Sequence, residues 1–283
     1  MDHDGEASDA PDFWKAHPAG KAILQGARRL RSLDLPTGGD EVYSVVNRAT
    51  GPDLISWVGY ATSVEHVSTN SPNLRVLCST HDLRSAHIAG IAAGCHHLLS
   101  IQLSYEHITD DAVQTLLRHC PSIVELCLFD TEITVATIRA LKSHRPLTLL
   151  TLGGQEERDV PLFDTEDTEI TLGELLSARG SSLMRLRIGE ARWRIGPQLA
   201  TTFPDMVPSL RVFHLYGEND ARLLACLAQR LPALRHPSAD DSVEWEMLGT
   251  SLSPLVELYG TDDFDHLLAM DMCWDELAGT TPP

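Results

Sequence analysis

The sequence predicts an α/β solenoid, a horseshoe arc of about nine or ten stacked units with a concave parallel sheet, convex helices and helical caps. Three observations predict it. Leucine accounts for 41 of the 283 residues. A six-residue pattern with apolar residues at its first, fourth and sixth positions recurs along the chain. The copies are evenly phased, which a random excess of leucine would not produce.

The copies run in order from the N-terminal end. Leu30-Arg-Ser-Leu33-Asp-Leu35 fits in full, Leu54-Ile-Ser-Trp57-Val-Gly59 loosely, and Leu74-Arg-Val-Leu77-Cys-Ser79 at two of three positions. Full copies follow at Leu98, Ile123, Leu147, Leu183 and Leu210. Leu234 begins a degenerate copy, and Leu255-Val-Glu-Leu258-Tyr-Gly260 fits at two of three positions. Eight of the nine intervals between these starts lie between 20 and 27 residues; the ninth, from Leu147 to Leu183, is 36.

Each copy reads as a short strand whose leucines point inward while the intervening residues face the other way, because side chains alternate along a strand. The return segment reads as a helix. After Leu103, Thr109-Asp110 is an N-cap signal, and Val113, Leu116 and Leu117 have helical apolar spacing. One unit cannot bury its own leucines, whereas stacked units bury them against one another. Residues 1–28 read as an acidic tail and N-terminal cap with Phe13, Trp14, Ile23 and Leu24. Residues 29–260 are the repeats, and 261–283 a C-terminal cap and tail containing Phe264, Leu267, Leu268, Trp274 and Leu277. The long interval carries an acidic insertion at about 153–170, expected as a loop overhanging one rim of the sheet. A solvated loop and a ligand gate are both open readings of it. The C-terminal segment reads as a cap or as a short acidic-hydrophobic docking motif.

The middle copies have a narrower pattern. Cys95-His-His-Leu98 and Cys120-Pro-Ser-Ile123 lead into strands, and Ile108-Thr-Asp110 opens the helix between them. This resembles the cysteine-containing subfamily of the leucine-rich repeat superfamily, of the F-box-type and ribonuclease-inhibitor-like kind. The resemblance is closest over 95–152 and extends over 30–260. Arg145-Pro146, Val207-Pro208, Leu231-Pro232 and Ser253-Pro254 keep the proline of the pattern without its cysteine. The resemblance implies a noncatalytic protein-binding arc. It also implies substrate recruitment to a ubiquitin ligase as an alternative, although no F-box motif is seen in the roughly 28 residues before the first copy.

Composition bounds the function. With 22 basic and 40 acidic side chains the formal charge is −18. That argues against nonspecific binding to nucleic acid or to anionic membrane, both of which reward lysine and arginine. No run approaches the roughly 18–20 apolar residues of a membrane helix. The acidic N-terminal stretch lacks the positive start of a targeting peptide, which leaves the cytoplasm or nucleus as the expected compartment. The six cysteines are expected as thiols there. Cys95 and Cys120 read mainly as buried small residues. A metal site with His96, His97 and His119 is a weaker reading, because no C-x-x-C pair exists. No phosphate-loop, dinucleotide, zinc-protease or nucleophile-elbow motif is present, so no catalytic residue, cofactor or metal ligand is assigned.

The concave face is the candidate binding surface. From the alternation, Gln102, Glu125, Phe129, Leu149, Arg185, Arg187, His214 and Tyr216 face it. Phe129, Leu149 and Tyr216 are apolar or aromatic at positions water should reach, and Arg185 and Arg187 form a basic spot in an acidic chain. Aromatic residues and arginine are the types enriched at binding hot spots. The competing reading is that scattered exposed apolar residues are ordinary. The expected function is a protein-binding scaffold or adaptor, a subunit of a larger assembly that holds a protein partner on this face. An enzyme inhibitor is a further alternative.

Overall fold

The computed structural model describes residues 26, 28–34, 50–59, 64–79, 83–104, 107–129, 131–153, 166–189, 196–215, 229–231, 234 and 236–239. The expected terminal caps, the copy at Leu255, residues 154–165 and Tyr216 lie outside them.

Among the described residues nine strands form one sheet: β1 (Ser32–Asp34), β2 (Ser56–Gly59), β3 (Val76–Ser79), β4 (Ser100–Ser104), β5 (Glu125–Phe129), β6 (Leu149–Gly153), β7 (Arg185–Gly189), β8 (Val212–Leu215) and β9 (His236–Ala239). Every strand starts two residues after the first apolar residue of a copy, from Leu30 to Leu234. Even the loose copy at Leu54 and the degenerate one at Leu234 make strands. All pair in parallel, each with its neighbour in sequence, so the sheet order is β1 to β9. Pro237 in β9 pairs with Phe213 and brings no backbone N–H donor to the ladder.

Six helices return the chain between these strands among the described residues: α1 (Val64–Asn70), α2 (Ser85–Gly94), α3 (Asp110–His119), α4 (Val135–Leu141), α5 (Glu166–Arg179) and α6 (Pro197–Met206). Leucines at the inward strand positions meet the apolar faces of these helices in one continuous core. Leu77, Ile101, Leu126, Leu150, Leu186 and Phe213 stack across successive strands in register. Trp57 fills the same position in β2 and is fully buried, which explains how a copy without leucine there still folds. Each buried leucine contributes roughly 1.5–3 kcal/mol of transfer free energy, so the stack supplies the main drive for folding.

Thr109 is the N-cap of α3, as its spacing predicted, but its side chain makes no capping hydrogen bond. The adjacent Asp110 acts one unit further along. Its carboxylate accepts from the backbone N–H groups of Thr134 and Thr137 at 2.9 and 3.1 Å and from both their hydroxyls at 2.6 Å. One carboxylate thus caps the start of α4, where the helix leaves backbone donors unpaired.

The acidic stretch differs from the expected overhanging loop from Glu166 onward. Residues from Glu166 onward form the first turn of α5, where acids are favoured by the helix dipole. Asp167 pairs with Arg139 of α4 at 2.7 Å, and Glu174 pairs with Lys142. These acids cross-link the helical layer.

The cysteine position of the repeat pattern forms a buried column just before the strands. In eight consecutive units it holds Gly51, Ser71, Cys95, Cys120, His144, Gly180, Val207 and Leu231, all buried. Cysteine is one of several small or apolar residues the column takes. Available space sets the choice. A Cβ on Gly180 would lie 2.7 Å from the carbonyl oxygen of Met206, and one on Gly51 would lie 2.5 Å from that of Arg28. His144 sits where later units have Val207 and Leu231, and burial pushes its imidazole pKa down, favouring the neutral form.

Candidate functional site

The face of the sheet opposite the core carries the candidate residues in two aligned rows. The first runs Ser32, Ser56, Val76, Ser100, Glu125, Leu149, Arg185, Val212 and His236. The second runs Asp34, Val58, Cys78, Gln102, Cys127, Thr151, Arg187, His214 and Ser238. Adjacent members are about 4.8 Å apart, the spacing of paired strands. The backbone therefore brings Gln102, Glu125, Leu149, Arg185, Arg187 and His214 together on one face. Phe129 lies one step beyond the second row, opposite Ser104.

The rows are less open than the alternation implied. Leu149 is 2% exposed and Arg187 7%, while Gln102, Glu125, Phe129 and Arg185 are half-buried. The register supplies a reason. Leu149 stands between Glu125 and Arg185, whose longer side chains flank it on both sides. Cys127 and Thr151 are likewise short residues between Gln102 and Arg187, and both are buried. A pattern of alternating strand residues says which face a side chain is on and cannot say how tall its neighbours are.

Two contacts organise this face. The Cys78 thiol donates to Oε1 of Gln102 on the next strand at 3.3 Å. The Arg187 guanidinium lies over the Phe129 ring, 4.5 Å from its centroid, within the range of a cation–π interaction. The two residues are on β7 and β5, so the arginine spans the intervening β6 where Gly153 brings no side chain. The result is a preformed aromatic–cation pair, with a half-buried base, Arg185, and a half-buried acid, Glu125, in the row on one side of it. Glu125, Cys127, Arg185 and Arg187 each have further interactions, so none of them stands unengaged.

Cys95 and Cys120 behave as core residues. The Cys120 thiol donates to the carbonyl of Cys95 at 3.3 Å, and the Cys95 thiol approaches the carbonyls of Ser71 and Ser68 at 3.8 and 3.9 Å. Burial pushes the Cys95 thiol up to about 12, with the neighbouring Cys120 adding to it, and pushes Cys120 up to about 11. His96 and His97 are exposed, and His96 Nδ1 is 3.3 Å from the carbonyl of His119. No group of three or more His, Cys, Asp or Glu among the described residues is placed to hold a metal ion. Maleimide labelling of the native chain at pH 8 is therefore expected to leave Cys95 and Cys120 unmodified over the time in which denatured chain is fully labelled. Rapid labelling of either, read by peptide mass spectrometry, would contradict the buried column.

Two groupings escaped the sequence reading. The Asp110 clamp has a signal that could have been found, since Thr134 and Thr137 follow it at 24 and 27 residues, one unit on. A second grouping, of arginines before the first strands, appears only when successive units are laid side by side. No helix of the described residues is long and apolar enough to cross a membrane.

No protein-family model matches this chain, and no curated protein does. Among solved structures, leiomodin-1 actin-binding site 2 is 14% identical with a TM-score of 0.27, covering 67% of this chain and 85% of that one. The internalin InlF of Listeria monocytogenes str. 4b F2365 is 14% identical with a TM-score of 0.34, covering 67% of this chain and 61% of that one. Both likenesses are remote. The sequential parallel sheet and its register carry the description of the fold.

Proposed function

We propose that this chain is a leucine-rich-repeat protein that works as a noncatalytic scaffold or adaptor, binding a protein partner on the helix-free face of its sheet. The observation that carries the reading is the aligned double row across β4–β8, with the Phe129–Arg187 pair on the side of the row away from Glu125, Leu149 and Arg185. A surface held by a parallel sheet loses little conformational entropy on binding, so its contacts convert to affinity with small loss. Arginine and an aromatic ring at the centre are the groups that anchor such interfaces. The reading places the chain in the cytoplasm or nucleus as a subunit of a larger assembly.

Arg185 is the residue to test, because it is half-buried and Arg187 is enclosed. Purification of tagged wild-type chain from its native source is expected to recover a partner at fixed stoichiometry. The Arg185→Glu variant is expected to lose at least tenfold of that recovery while its thermal melt stays unchanged. Undiminished recovery would remove this face from the interface. Co-purification with ubiquitin-ligase components would identify the assembly as a ligase.

A further inference from the structure

We propose that the rim leading into the first strands is an anion-binding cleft that takes a phosphorylated segment of a protein partner. The residues one place ahead of β1, β2 and β3 are Arg31, Ile55 and Arg75, held in line by hydrogen bonds from Ile55 N to Arg31 O at 2.8 Å and from Arg75 N to Ile55 O at 2.7 Å. Arg31 and Arg75 are thus about 10 Å apart at their backbones, two strand spacings. Arg29 and His97 line the same open cleft, of about 520 Å3. Two of its lining residues are tied together, since Asn73 Nδ2 donates to the carbonyl of Pro52 at 3.0 Å.

The charge is what sets this cleft apart. In a chain of formal charge −18, three guanidinium groups gather against one carboxylate, Asp53. All three arginines are exposed, and none forms an ion pair with a described residue. Arg139 and Arg230, by contrast, each pair with an aspartate. Three like charges within reach of one point repel one another until an anion is shared among them. A carboxylate has two oxygens and one charge, which a single arginine satisfies in bidentate fashion. A phosphoryl group has three oxygens and nearly two charges, so it bridges several guanidinium groups. A nucleic acid would bring a row of phosphates against the acidic remainder of the surface. One phosphoryl group on a peptide needs only the local patch. The cleft precedes β1–β3 while Arg185 is on β7, so this site stands apart from the sheet face assigned above.

Fluorescence anisotropy with the full chain tests it, using two labelled peptide pools of random sequence that differ only in a central phosphoserine or serine. The phosphoserine pool is expected to bind at least tenfold more tightly, and added salt should weaken it. Arg31→Glu and Arg75→Glu should each lose tenfold or more, whereas Arg185→Glu should change nothing. Arg31→Gln and Arg75→Gln, with melts matched to wild type, separate lost charge from lost fold. Equal affinity for the two pools, no binding of either, or full binding by the glutamine variants would overturn the proposal. Displacement by inorganic pyrophosphate at concentrations no higher than the peptide's own would assign the cleft to a small polyphosphate and overturn the peptide assignment.

Discussion

Replacing Asp110 with alanine is expected to destabilise the chain by about 2–4 kcal/mol, from the loss of a helix cap and of several charge-assisted hydrogen bonds. The carboxylate accepts four hydrogen bonds at the start of α4. Thr137 is fully buried, so its hydroxyl would lose its partner out of reach of bulk water, while its N–H keeps the Thr134 carbonyl at 3.0 Å. Asp110→Asn keeps one acceptor oxygen but places an amide donor against a hydroxyl, and should recover part of the loss. Urea denaturation measures the total, and hydrogen exchange at the α4 amides shows whether the loss is local. Acid provides an independent test. Burial raises the Asp110 pKa, but the hydrogen bonds from Thr134 and Thr137 outweigh burial and hold it below 3.8. The unfolded chain therefore takes up the proton first. The contribution of Asp110 is complete above its unfolded pKa and is lost as pH falls through the lower folded value. The stability gap between wild type and Asp110→Ala should accordingly be constant from pH 7 to about 5 and narrow below 4. A gap that persisted undiminished at pH 2 would contradict this account.

The consensus substitution Gly180→Cys is expected to destabilise the protein by about 3 kcal/mol, the upper part of the range for overpacking a filled site. Two units in the middle of the chain have cysteine at this position, and a pattern-based reading would place it in a third. The backbone denies it. A Cβ there would meet the Met206 carbonyl oxygen at 2.7 Å and Val207 Cγ1 at 2.9 Å, and the nearest atom belongs to main chain that cannot swing aside. The reverse changes, Cys95→Ala and Cys120→Ala, remove one sulfur each from a site with room for it and should cost only about 1–2 kcal/mol. Chemical denaturation midpoints of the three variants give the comparison. A Gly180→Cys variant as stable as wild type would show that neighbouring units shift freely against one another.

These two residues show where reading a sequence succeeds and stops. The phase of the apolar pattern located all nine described strands, because a parallel strand with one buried face must repeat leucine at alternate positions. Trp57 in β2 and the sparse copy before β9 were legible for the same reason, since neighbouring copies set the frame. The cysteine pattern does not reach Gly180, because one letter at one position does not report the space beside it. Likewise, the first turn of α5 read as loop, because acids are common both in solvated loops and at helix starts, and only the folded chain, where Asp167 pairs with Arg139, separates the two.

The candidate face divides in the same way. Its members were legible from alternation, and the register aligns six of the eight named residues on it, with Phe129 one step beyond and Tyr216 outside the described residues. Their exposure was not legible. Leu149 and Arg187 are enclosed by side chains that arrive from strands roughly 24 to 60 residues distant in sequence. The sequence by itself determined the repeat, the strand positions and the direction each strand residue faces, all of which follow from local periodicity. Tertiary structure alone decided which outward residues are covered, that Asp110 caps the helix of the next unit, and that Arg29, Arg31 and Arg75 share one cleft. The physical reason is that stacking places residues some 24 positions apart within about 5 Å, where their charges, volumes and hydrogen bonds first meet.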